Sequence, residues 1–222
     1  MNETRDPWAG IYSSVNPEPG KPDVYWVSFV WGLGHARGYG GESPEVKKRA
    51  IVYVQATGDG AVLSYHPPKE PLPHFEQRDF ESKALELVMA YVNWTHRLAD
   101  LVGHVEQWGR ELHWATRRIE KKLYDRRFGD HPEPALVLQE DTCRILLEPV
   151  GRSAPGAEGV VDLYLMPAYD DIASLYFYEG RWNLHYAVPG GPPAASGQQA
   201  HSAPLSKEAL QRVLEEMKQH AT

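Results

Sequence analysis

From Ala84 to Ile119 apolar residues recur at intervals of three and four without a slip: Ala84, Leu87, Tyr91, Trp94, Leu98, Leu101, Val105, Trp108, Leu112, Ala115 and Ile119. That period belongs to one face of an α-helix. Asp79 offers a cap before it, Gly129 and Pro132 a stop after it. Glu81 and Glu86 near the start and Arg126 and Arg127 near the end suit the helix dipole. The spacing predicts one helix over 80–128. At 1.5 Å per residue it would be ~73 Å long, against a diameter of about 45 Å for a compact chain of this size. Such a helix protrudes or bends, and Gly103 and Gly109 are its weak points, each costing ~1 kcal/mol relative to Ala. Val88, Val102 and Leu123 widen the stripe beyond a two-stranded seam. The chain's own sheet is its expected cover, with the excess length left for another protein or a second copy.

The strands for that sheet come from both sides of the helix. Residues 1–23 hold four prolines and two glycines and read as an extended arm. VYWVSFVW at 24–31 is apolar on both alternating faces, as in a central strand. IVYVQA and AVLSYH, separated by Thr57–Gly60, form a hairpin. Beyond the helix, PALVLQ, CRILLEPV, GVVDLYLM, IASLYFY and RWNLHYAV follow at short intervals as an antiparallel meander. Residues 189–204 are rich in Pro, Gly and small residues and read as a flexible linker, after which Ser206 caps a final amphipathic helix within 205–222. The expected fold is α+β. A mixed, mainly antiparallel sheet packs on the long helix in a single domain over 24–188, and the C-terminal helix is tethered.

A net charge of −7 argues against wholesale coating of nucleic acid. The apolar runs are all interrupted well before the ~20 residues of a membrane span, so no membrane partner is expected. One cysteine, Cys143, cannot form an internal disulfide, and no apolar leader follows Met1, which points to a reducing cytoplasm. His96, His104 and His113 are eight and nine residues apart and miss the i, i+4 spacing of helical zinc ligands. No metal or other cofactor is expected.

Two stretches carry binding chemistry. GLGHARGYGG at 32–41 places His35 and Arg37 where backbone amides and a following helix start can hold an anion, although the glycine spacing fits neither a dinucleotide fingerprint nor a P-loop. In the second, a two-residue turn at Glu179–Gly180 sets Tyr178 opposite Arg181, Tyr176 opposite Asn183 and Ser174 opposite His185. Period two then gathers Ser174, Tyr176, Tyr178, Arg181, Asn183 and His185 on one face, and Trp182, Leu184, Tyr186 and Val188 on the core face. Ser174 and His185 with Asp170 or Asp171 have the residue types of an acyl-transfer triad, but a flat face lacks its sharp turn and oxyanion amides, so no catalytic residue is assigned.

The leading expectation is a non-catalytic interaction or adaptor subunit. It rests on the overlong helix and on a tail whose Leu210, Val213, Leu214 and Met217 form a stripe for a partner groove. A secondary basic ridge through Arg110, Arg117, Arg118 and Lys121 suits nucleic acid or an acidic protein. The alternative is a small-molecule enzyme or sensor for an anionic or phosphorylated ligand, at the Gly32–Gly41 loop or the 174–185 hairpin.

Overall fold

The computed structural model describes residues 6–32, 48–186 and 201–221. The fold is α+β: a four-stranded and a seven-stranded sheet, both antiparallel, one long helix and a C-terminal helix. The chain divides into two compact units, one of residues up to Asn93 with Tyr124–Asp130, the other of Trp94–Leu123 with the residues from His131 onward. No helix among the described residues is long and apolar enough to cross a membrane.

The first unit holds β1 (Ile11–Pro17), β2 (Val24–Trp31), β3 (Arg49–Gln55) and β4 (Ala61–His66), paired in that order. Its core is one face of this sheet, where Val15, Val27 and Val52 align across three strands, packed on the start of α1 (Gln77–Glu111). Phe80 sits among the rings of Trp8, Phe29, Trp31, Tyr65 and Phe75, with centroids 5.4–6.0 Å away. The expected extended arm is in fact an edge strand, because β1 satisfies its backbone along β2. The helix begins at Gln77 rather than after Asp79, whose carboxylate accepts from the Glu76 amide at 2.8 Å. That is the back-reaching half of a capping box.

The helix ends at Glu111, not at 128, and the cause is local. His113 adopts φ +68°, the Trp114 amide donates to Gly109 O at 2.9 Å and the His113 amide to Arg110 O at 3.0 Å. These are the paired 6→1 and 5→2 bonds of a Schellman stop, with His where Gly is usual. Residues 115–125 form β5 (Ala115–Asp125), the edge strand beside β6 (Gly129–Glu140). The helix runs unbroken through Gly103 and Gly109. A Cβ on Gly109 would lie 2.6 Å from Leu138 Cδ2 and 3.2 Å from Thr116 Cγ2, so this glycine is required by close approach to the sheet.

The second unit completes its sheet with β7 (Cys143–Gly151), β8 (Val160–Met166), β9 (Asp170–Tyr178), β10 (Arg181–Tyr186) and β11 (His201–Pro204), in the order β11-β10-β9-β8-β7-β6-β5. The expected meander is present and extends by one strand at each edge. Residues 201–204, read as the end of a linker, pair with β10 as β11.

α2 (Lys207–His220) is capped by Ser206, which accepts from the Ala209 amide at 3.2 Å. Its stripe, expected to fill a partner's groove, does not stand free. Instead Leu210, Val213, Leu214 and Met217 are buried in the same core as Leu98, Leu101, Leu138, Leu163 and Leu175. The reason is that an isolated amphipathic helix this short is unstable in water and takes the nearest apolar cover. Lys207 to Glu111 at 2.7 Å and Lys218 to Glu140 at 3.0 Å fix it at the rim.

Candidate functional site

The β9–β10 hairpin has the register that its sequence dictates: Tyr178 faces Arg181, Tyr176 faces Asn183, and Ser174 faces His185 across the Glu179–Gly180 turn. Glu179 at φ +52° and Gly180 at φ +74° supply the two left-handed residues of a type I′ turn. The expected ligand residues, however, do not act as one group. Asn183 is buried and donates through Nδ2 to the carbonyls of Arg181 (3.2 Å) and Tyr178 (3.4 Å), so it staples the turn. Arg181 lines a cleft on the Trp182 side, while Tyr176 and His185 line one on the opposite face. Ser174 lies in a row across five strands: Glu148, Asp162, Ser174, His185 and Ser202. In that row Asp162 accepts from Tyr164 Oη at 2.9 Å, and burial, then this bond, pushes the Tyr164 hydroxyl far above its ordinary range. His185 Nε2 meets Tyr178 Oη (3.4 Å) and Ser202 Oγ (3.2 Å), so its hydrogen bonds do not run to Ser174. His35 and Arg37, and the side chains of Asp170 and Asp171, lie outside the described residues.

The cleft on the Trp182 side has a volume of about 470 Å³, within the usual range of small-molecule sites. One wall is a stripe of α1, with Arg97, Leu101, His104 and Trp108 at i, i+4, i+7 and i+11, flanked by Asp100. The other is the hairpin, with Phe177, Gly180, Arg181 and Trp182, and Pro204 and Leu205 close one end. The Leu205 amide donates to Trp182 O at 2.9 Å, which holds that end in place. Phe177 and Trp182 meet edge to face at 5.3 Å, and His104 stacks on Trp108 at 5.7 Å. The Arg97 guanidinium lies 4.3 Å over the Phe177 ring and pairs with Glu158 at 2.5 Å, so its position is fixed and its charge partly neutralised. Arg181 is 57% exposed and only 3.6 Å from Glu179, a loose pair that contributes little and leaves its donors available.

The apolar sequence pattern puts Trp108 on the helix stripe and Trp182 on the core face of its strand, and does not join them to Arg97 and His104. The helical spacing of 97, 101, 104 and 108 was the signal that joins them. The basic ridge is not a single helix face. Arg110 lies in the last turn of α1 while Arg117, Arg118 and Lys121 belong to β5. Arg110 and Arg118 both bind Glu106, at 2.6 and 2.8 Å, and Lys121 binds Glu148 at 3.1 Å. Cys143 is buried and its thiol pKa is pushed up by that burial, as suits a structural thiol. Among the described residues no three His, Cys, Asp or Glu side chains converge as metal ligands. No protein-family model, curated protein or solved structure matches this chain.

Proposed function

We propose that the chain is a small-molecule binding module whose ligand is a flat aromatic anion held in the cleft between α1 and the β9–β10 hairpin. The observation that carries this reading is the pairing of Trp108, Trp182 and Phe177 with two guanidiniums, Arg97 and Arg181, against one carboxylate, Asp100. Arg97 is tied to Glu158, so the cation of this aromatic-walled recess that is only loosely paired is Arg181, 3.6 Å from Glu179. The rings supply apolar contact area and stacking, and Arg181 supplies a planar fork for a carboxylate or phosphate. The protein-interaction reading drew on a helix longer than its domain and on a detachable tail. With α1 ending at Glu111 and the tail stripe in the core, the cleft is the better foundation.

The test is a calorimetric comparison of 2-naphthoate with its neutral amide. The carboxylate should bind more tightly, and Arg181→Ala should weaken it by about tenfold or more while leaving the amide unchanged. Trp108→Ala should weaken both. Equal affinity for acid and amide, or no binding of either to the folded protein, would overturn the reading.

A further inference from the structure

On the opposite face of the same hairpin lies a second recess, about 460 Å³ in volume, between Tyr176, Tyr178 and His185 on one side and the Ala154–Ala157 turn on the other. The turn is closed by its own backbone. Ala154 and Ala157 exchange amide-to-carbonyl hydrogen bonds, each 3.0 Å, and Gly156 at φ +77° closes it with open space where a Cβ would stand. Among the described residues the lining includes no Lys, Arg, Asp or Glu. A charged ligand entering here would lose water without gaining a counter-charge, so the site selects a neutral one.

Its polar chemistry is a hydroxyl–imidazole triangle. Tyr178 Oη lies 3.1 Å from Ser202 Oγ and 3.4 Å from His185 Nε2, and Ser202 Oγ lies 3.2 Å from His185 Nε2. Either tautomer of a neutral imidazole leaves one hydrogen unspent. If Nε2 is bare, the two hydroxyl hydrogens are shared within the triangle and Nδ1–H is the spare donor. If Nε2 carries the proton, the ring donates to one hydroxyl, that hydroxyl to the other, and the last hydroxyl hydrogen is spare. The hydroxyl oxygens keep acceptor lone pairs in both cases. The recess therefore presents donor and acceptor capacity together, which matches a ligand hydroxyl, itself both donor and acceptor. Beside it are the Tyr176 ring, set edge to face against His185 at 5.0 Å, and the Pro155 and alanine surfaces, which suit an apolar C–H face.

We infer that this recess is a second binding site, for a neutral polyhydroxylated ring: a sugar stacked on Tyr176 with its hydroxyls on Tyr178 and His185. The inference stands independently of the aromatic-anion cleft, with which this lining shares no residue.

The experiment is saturation-transfer NMR on the full chain with methyl glycosides of glucose, galactose and mannose, each up to about 100 mM, beside glucose 6-phosphate and glucuronate. At least one neutral glycoside should receive saturation and bind more tightly than the charged sugars. Tyr176→Ala should abolish the signal, and Tyr178→Phe, which keeps the ring, should weaken binding by about fivefold. Arg212→Ala, on the exposed side of α2, should leave it unchanged. Absence of transfer from every neutral glycoside to folded protein overturns the inference, as does equal or tighter binding of the charged sugars. Should Tyr176→Ala fail to fold, unaltered binding by Tyr178→Phe overturns it instead.

Discussion

The fate of the C-terminal helix is the sharpest quantitative consequence of the fold. Leu210 is fully buried, beside Leu214 and Met217, which are 1% and 0% exposed. Truncating such a leucine to alanine removes its transfer free energy and leaves a cavity, a loss of about 2–5 kcal/mol. With a urea m-value of about 2 kcal/mol per molar, a mid-range loss of about 3 kcal/mol lowers the unfolding midpoint by about 1.5 M. The chain has two compact units, so the quantity to follow is the transition of the second, which contains Trp94, Trp108, Trp114 and Trp182 and is visible by tryptophan fluorescence. Arg212→Ala, on the exposed side of the same helix, is the control and should change stability by no more than about 0.5 kcal/mol. Deletion of 205–222 should abolish the cooperative transition of this unit. A Leu210→Ala protein with the wild-type midpoint, together with a truncated chain that still melts cooperatively, would show that α2 is not part of the core.

Three further outcomes are expected. Helix propensity alone gives Gly109→Ala a gain of about 1 kcal/mol, but the 2.6 Å approach of the new Cβ to Leu138 reverses the sign, and thermal melting should show a loss of about 1–3 kcal/mol. Conversely, His113→Gly relieves the left-handed backbone at φ +68° and should raise stability by about 1 kcal/mol, measured the same way. The Glu111 carboxyl is held below its usual range, chiefly by the hydrogen bond from Lys207 and then by that from Gln107. A depressed folded pKa contributes stability that is present above the unfolded value of 4.5 and is lost as pH falls through the lower folded value. Glu111→Gln should therefore flatten the acid limb of the melting-temperature profile, and an unchanged limb would refute this tether.

The sequence made the strands legible because period two and turn chemistry are local. The Glu179–Gly180 turn determined every pair of its hairpin, and Thr57–Gly60 likewise placed β3 against β4. The end of α1 was hidden by an arithmetic coincidence. Ala115, Ile119 and Leu123 are spaced by four, which keeps residues on one face of a helix but, being even, also on one face of a strand. The true stop was a left-handed His113, a position at which glycine is the usual marker. The tail failed for a different reason. Amphipathicity shows that a helix needs cover, but it does not show whose, and here the cover was the apolar face of the second unit's own sheet.

The candidate site was half legible for the same physical reason. Alternation correctly put Trp182 on the face opposite Tyr176 and His185, and a residue on the core face of a strand is naturally read as core. A sheet face is core only where another element covers it, and cover depends on where helices stop. Trp182 stands two residues past the hairpin turn, and there it remains half-buried, while Leu184 two residues farther along the same face is 4% exposed. Between that uncovered end and the α1 stripe lie two half-buried indoles, Trp108 and Trp182, with Arg181 at the mouth. Large aromatics left partly open beside a loosely paired arginine are the kind of surface that marks a binding site. An Arg181→Ala, Trp108→Ala double variant should therefore lose all affinity for 2-naphthoate while α2, which packs on the second unit's core, keeps the fold. Retention of that affinity would mean that the cleft is only an unfilled margin of the core.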